Sequence, residues 1–320
     1  MIQNFDPAHP GKTIYELNQV VGPLDGVAGD ILCCINNGNG PSVLLCGGIH
    51  GDEYEAQVVL RRLVARLTPE MVTGRVIIAP SINHPASQKG QRLSPFDSQN
   101  MNRVFPGKPD GTPTEKLAYF MTSALFPAVD LLIDMHAGGR DVSVVPMVFG
   151  FTTPTSKVGE LSLNRLMEAW GYRFVQHVEG IRETACGWAR EVDLASIEVE
   201  GGGGRMLSEE LQIMEDGLLR ALAAYGVIKP VLNPLPFDGV HVLAEPEGQY
   251  IAKAPGLVEH KVSLGDEVTR DTVVALVHPT GSADPTPTTI RSPMPGYVLR
   301  QTEHVFVKPG QLIGNIGTPK

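Results

Sequence analysis

The sequence predicts an α/β fold, a sheet covered by helices on both faces, followed by a smaller all-β region. Three observations carry this. Short apolar runs alternate with helical periodicity from about residue 43 to 226. The alternation stops after Lys229, where Pro230, Pro234, Pro236, Pro246 and Pro255 crowd the chain. Residues 230–320 then carry a weak internal repeat.

The elements follow in order. Val43-Leu44-Leu45-Cys46 is a continuous apolar run, as expected of a strand buried on both faces. Gly47-Gly48 end it, and Ala56, Val59, Leu60, Leu63 and Leu67 recur at helical spacing beyond. RVIIAP (75–80) is the next strand. Thr112-Pro113-Thr114-Glu115 reads as a capping box with proline at the first helical position, opening a helix to about Phe126. DLLIDM (130–135) is a further buried strand, and helices at about 155–170 and 207–226 flank a strand at 197–200. Apolar strands interleaved with helices need a layer on each face of the sheet.

In the tail, Pro255-Gly256-Leu257-Val258 recurs as Pro295-Gly296-Tyr297-Val298, and Gly265 to Val268 is echoed by Gly310 to Ile313. Two β half-units with matching turns predict a small sandwich or barrel. The repeat resembles the halves of biotinyl/lipoyl carrier domains, but the connection from His278 to Pro285 holds no lysine to modify. The tail is therefore read as a structural or oligomerising module, and a homo-oligomer is expected.

Composition narrows the function. The chain has 320 residues, 42% hydrophobic and 19% charged, enough to bury a sizeable core. Glycine (35) and proline (26) together fill about a fifth of it, against roughly 12% in average usage, which excludes a helical bundle. A net charge of −9 argues against nucleic-acid and anionic-membrane partners. No apolar run reaches the roughly 18 residues of a spanning helix, and the N-terminus lacks the pattern of a signal peptide. Cys33, Cys34 and Cys46 fall in strand-like runs and Cys186 in an expected helix, with no C-x-x-C pair, so neither a disulfide framework nor a cysteine zinc site is indicated. A soluble, cytoplasmic protein with a small-molecule substrate is expected.

Four segments carry chemistry. In Gly47-Gly48-Ile49-His50-Gly51-Asp52-Glu53, an imidazole and a carboxylate three residues apart follow a strand, where open α/β sheets hold their sites. Both donors suit zinc, although a capping glutamate beside an unrelated histidine has the same spacing. His136 ends the strand DLLIDM, with Asp134 two residues earlier on the same face to orient it; alone, such a histidine is as easily a satisfied core residue. With His50 and Glu53 it completes three ligands, leaving a fourth position as catalytic zinc sites do. Arg92 to Asp97 and Asn100 to Gly107 form a long polar loop in which Arg92 and Arg103 offer fixed positive charge, unless the loop is merely solvated. Ile197-Glu198-Val199-Glu200 runs into four glycines, where backbone can approach a ligand closely. Glu198 and Glu200 share a strand face; Glu200, nearer the strand end, is favoured as the site carboxylate, and an edge-strand pair facing solvent is the alternative.

In this order the four segments resemble the aspartoacylase/succinylglutamate desuccinylase family of zinc hydrolases, relatives of the metallocarboxypeptidases. The family motif G-x-x-H-G-x-E matches Gly47, His50, Gly51 and Glu53. Its Asn-x-Asn-Arg-x-Phe-Pro-Gly element matches Asn100, Asn102, Arg103, Phe105, Pro106 and Gly107. Its strand-end histidine matches His136, and its glutamate before a glycine run matches Glu200. The resemblance spans about residues 40–320, and the stretch 47–111 is most similar to bacterial N-acetyl-L-2,4-diaminobutyrate deacetylases. Two positions depart: Glu198 stands where an uncharged residue is usual, and Gly201 where an apolar one is common.

The resemblance implies a zinc carboxypeptidase-like mixed sheet in a catalytic domain over residues 1–229 and an all-β domain over 230–320. It implies hydrolysis of a small N-acyl, and in particular N-acetyl, amino acid. One zinc per chain would sit on His50, Glu53 and His136, with Glu200 as general base, Arg92 at the oxyanion, and Asn102 and Arg103 on the substrate carboxylate. A carboxypeptidase acting on peptides and a non-catalytic metal- or ligand-binding protein stay open as alternatives.

Overall fold

A computed structural model describes residues 5–21, 29–151, 153, 158–244 and 246–320. The strands are β1 (Gly11–Glu16), β2 (Ile31–Asn36), β3 (Ser42–Gly47), β4 (Arg75–Ala79), β5 (Leu131–His136), β6 (Val142–Phe151), β7 (Phe174–His177), β8 (Ala195–Gly202) and β9 (Val240–Leu243). The tail adds β10 (Gln249–Ile251), β11 (Gly256–His260), β12 (Glu267–Val268), β13 (Val273–His278), β14 (Thr288–Arg291), β15 (Gly296–Thr302), β16 (Phe306–Val307) and β17 (Leu312–Pro319).

The large sheet runs β1-β2-β4-β3-β5-β8-β6-β7-β9 and continues into the tail strands β17, β15 and β12, with β15 also pairing β6. Its centre, β4-β3-β5-β8, is parallel, while β6 lies antiparallel on β8, so the sheet is mixed. Both faces are covered. Val43 and Leu45 point into one core, with residues of the helices Tyr54–Arg66, Glu160–Ala169 and Ser208–Tyr225. Leu44 and Cys46 point into the other, with residues of Pro113–Phe120 and Ala185–Glu191. That double burial is why β3 reads as an unbroken apolar run.

The expected helix from Thr112 begins as read: Thr112 Oγ1 accepts from Glu115 N, the Glu115 carboxylate accepts from Thr112 N, and Pro113 is the first helical residue. Beyond Phe120 the helical path continues through Met121–Leu125 and Phe126–Ala128 with wider and then tighter turns. The helix expected at 155–170 runs Glu160–Ala169, and 154–157 lie outside the described residues. Strands β6 and β7 lie between the elements read from periodicity.

The tail repeat is visible. β11 and β15 each start at a glycine of the repeated Pro-Gly pair and flank a shared core of Val268, Val274, Val298, Ile313 and Ile316. One sheet of the tail is the separate four-stranded β14-β13-β11-β16; its other strands extend the large sheet. Among the described residues no helix is long and apolar enough to cross a membrane.

Candidate active site

Strand order places the site. From β3 the chain crosses to β4 on one side and then to β5 on the other, so the crevice beyond the carboxyl ends of β3 and β5 is a topological switch point. His50 and Glu53 follow β3, Glu53 immediately before the helix Tyr54–Arg66; His136 is the last residue of β5. The turn after β3 needs its second glycine: Gly48 sits at φ +67°, and a Cβ there would lie 2.9 Å from Ser81 Cα.

One ligand atom from each of His50, Glu53 and His136 lies within 4.8 Å of the others, and the three residues are 2% exposed. The far nitrogen of each imidazole is held by an acceptor. His50 Nε2 donates to Asn100 Oδ1 at 3.0 Å, and His136 Nε2 donates to Asp134 Oδ2 at 2.9 Å. Both Nδ1 atoms are thus turned toward the Glu53 carboxylate. His50 Nδ1 lies 2.8 Å from Glu53 Oε1 yet off hydrogen-bond geometry, a buried nitrogen without a hydrogen-bond partner. His136 Nδ1 lies 2.7 Å from Glu53 Oε2. Two imidazole nitrogens and a carboxylate converging on one point, each imidazole backed by an acceptor at its far nitrogen, is a donor set that fits zinc.

The electrostatics agree. Burial pushes the Glu53 carboxyl up, but the imidazoles of His50 and His136 outweigh it and hold the carboxyl well below the usual range. Burial pushes His136 down, and Asp134 and Glu53 on either side of the ring raise it well above its ordinary value. A cation held between the two imidazoles and Glu53 would take the place of a proton there.

Glu200 stands beside His136 in the parallel β5–β8 ladder, and Glu198 one step deeper beside Asp134. β8 is central, between β5 and β6, which removes the edge-strand alternative. Glu200 lines a cavity of about 500 Å³ together with Glu53, Arg92 and Arg103. Glu198 does not line it; it gathers with Asp134 and Cys186 beneath the histidines. Burial raises both carboxyls, Glu198 to about 7, and the nearby Glu53 charge raises Glu200 further. The glycines after Glu200 serve a turn: a Cβ on Gly203 would meet Val142 O at 2.3 Å and Gly138 Cα at 2.8 Å, so what the backbone closely approaches is the loop after His136.

The polar loop divides its work. Arg92 Nη1 donates to Glu53 Oε1 at 2.7 Å, with the guanidinium half open to the cavity. Arg103 also lines the cavity, and its Nη1 donates to Asn102 O. Asn102 is buried, and its Oδ1 accepts from Ala185 N at 2.8 Å, tying the loop to the helix Ala185–Glu191. Asn100 caps the turn carrying Asn102 and orients His50 with the same Oδ1, a role its place in the motif did not disclose.

The far wall comes from the tail. Arg300, Thr302, His304, Val307 and Gln311 line the same cavity as Glu53 and Glu200. No motif marks Arg300, which lines the cavity alongside the expected Arg92 and Arg103. Its position in β15, a strand found only by its place in the repeat, was the available signal.

The comparisons with known proteins give the family. The family described as "Succinylglutamate desuccinylase/Aspartoacylase catalytic domain" matches residues 39–225. The N-alpha-acetyl-L-2,4-diaminobutyric acid deacetylase of Halomonas elongata is 35% identical over 289 residues, covering 88% of this chain and 83% of that enzyme. The product-bound structure of the ectoine utilization protein EutE from Ruegeria pomeroyi superposes with a TM-score of 0.88 at 29% identity, covering 98% of each chain. A succinylglutamate desuccinylase/aspartoacylase structure from Rhodobacter sphaeroides superposes with the same TM-score at 28% identity, covering 99% of this chain and 98% of that one. With the family match spanning more than half of its length and the relative in H. elongata most of it, the chain belongs to the succinylglutamate desuccinylase/aspartoacylase family.

Proposed function

We propose that the chain is a zinc-dependent deacylase of a small N-acetyl amino acid, with its catalytic unit over residues 1–229 and a β unit over 230–320. Hydrolysis of the amide bond of an N-acyl amino acid follows from the family. The observation that carries the metal is the convergence of His50 Nδ1, His136 Nδ1 and the Glu53 carboxylate, with Asn100 and Asp134 occupying the opposite nitrogens. When bound there, zinc supplies a Lewis acid that acidifies water toward neutral pKa and polarises the acyl carbonyl. The acetyl group is supported by the H. elongata relative, named as an acetyl-removing enzyme.

The chain's own residues account for the remaining steps. Glu200, half-buried on the cavity wall, accepts the proton of the attacking water and returns it to the departing amine. Arg92, at the cavity wall beside Glu53, faces the developing oxyanion, a contact whose loss costs about 10²–10³ in rate. Arg103 grips the substrate carboxylate, and Asn102 fixes the turn that aims it.

A hydrolysis screen of N-acetyl, N-formyl and N-succinyl amino acids, with a peptide series alongside, tests this on zinc-loaded protein. N-acetyl amino acids are expected to be cleaved fastest. Cleavage of C-terminal peptide bonds with no turnover of N-acyl amino acids would overturn the reading in favour of a carboxypeptidase.

A further inference from the structure

Arg300 is an exposed cation on the cavity wall. Its backbone is fixed from both sides, paired with Val144 of β6 and with Asn315 of β17. Between Val298 and Arg300 the register against β17 shifts, and β6 carries a second irregularity between Val144 and Met147. Such bulges re-aim side chains at the rims of sites. Val298 is buried in the tail's own core, while Arg300 lines the cavity. Among the described residues its guanidinium has no hydrogen bond and no ion pair. The arginines from the loop differ: Arg92 is committed to Glu53, and Arg103 donates to Asn102 O.

The charges that act on Arg300 are those of Glu200 and Arg92, whereas Arg103 acts on Glu198, one step deeper. Arg300 lines the same cavity as Glu200, Glu53, Arg92 and Arg103. A guanidinium is always ionised and presents a planar fork matched to a carboxylate. Arg300 is exposed to the water of the cavity, so a carboxylate entering there can displace that water and pair with the guanidinium.

We infer that Arg300, contributed by the tail, is a specificity-determining residue that binds the α-carboxylate of the substrate as a second arm beside Arg103. The inference rests on the N-acyl amino acid reading, which supplies one anion next to the scissile amide. It also gives the tail a defined part in the site: the strands before the tail bring the His50–Glu53–His136 group and the base, and β15 brings selection.

The test compares an N-acetyl amino acid with its α-carboxamide on zinc-loaded wild type, Arg300→Gln and Arg300→Lys. In wild type the acid is expected to be favoured. Arg300→Gln should raise KM for the acid about 10- to 150-fold, the loss of a charge-assisted pair, with kcat within a few fold and KM for the amide unchanged. Arg300→Lys should restore part of the preference. Wild-type discrimination persisting in Arg300→Gln would overturn the assignment while leaving the deacylase reading standing. Equal hydrolysis of acid and amide by wild type would overturn the carboxylate grip altogether, Arg103 included. A larger KM loss on N-succinyl than on N-acetyl substrates in Arg300→Gln would place Arg300 at the acyl group and overturn the assignment to the α-carboxylate.

Discussion

His136 and Glu200 lie directly opposite each other in the β5–β8 ladder, so the pairing register fixes the proposed base relative to the metal-ligand group. Slipping that register by one residue would turn every side chain of β8 to the other face of the sheet. A slip of two would exchange Glu200 for Glu198.

This ranks the two glutamates. Glu200→Gln should keep bound zinc and lose about 10²–10⁴ in kcat, because an amide cannot take the water proton. Glu198→Gln, one step below the cavity, should be much milder. Steady-state kinetics with metal content measured on the same samples decides it, and the reverse ranking would make Glu198 the base.

Metal affinity should depend on both layers of the site. His136→Ala is expected to lose zinc and activity while remaining folded. Asp134→Ala and Asn100→Ala, which free the far nitrogens of His136 and His50, should each weaken zinc binding about 10- to 100-fold. Competition with a chromophoric chelator measures this; undiminished affinity in both would show that the imidazoles are oriented by something else.

The metal-free protein should lose stability as pH rises through the range where Glu198 titrates. Burial lifts its carboxyl to about 7 from an ordinary value of 4.5, so the folded chain holds a proton that the unfolded chain has released. The favourable contribution is present below the unfolded value and is lost as pH passes through the folded one. With zinc chelated, the melting temperature of Glu198→Gln minus that of wild type should therefore grow from about pH 4.5 to 7 and then level off. A difference that stays constant across that range would mean Glu198 is not strained by its burial.

Arg103→Ala should weaken the preference for a substrate with a free α-carboxylate, a loss of about 1.5–3 kcal/mol in kcat/KM for the acid and little for the amide. An unaltered acid-to-amide ratio would remove Arg103 from the substrate grip.

The His50–Glu53–His136 group was legible because each of its residues sits at a strand end or helix start that local pattern alone marks. Leu44 and Cys46 against Val43 and Leu45 announce a doubly buried strand, and His50 and Glu53 follow it after two glycines. The capping box at Thr112 was legible for the same reason, since its bonds span only three residues. Strands β6 and β7 were not, and neither was the use of Asn102 as an anchor, because its partner Ala185 is 83 residues away.

By itself, the sequence determined the alternation of strands and helices, the four motif segments and the two half-repeats of the tail. Tertiary structure decided which carboxylate reaches the cavity and which arginines do. Glu198 and Glu200 share one strand face, and only the pairing of β8 with β5 sets Glu200 level with His136 and Glu198 with Asp134. Arg300 reaches the site only because β15 pairs with β6, joining segments more than 150 residues apart. Periodicity encodes which face a side chain takes, a property of neighbouring residues; the depth at which it meets another strand is set by pairing between distant segments, which no local pattern records.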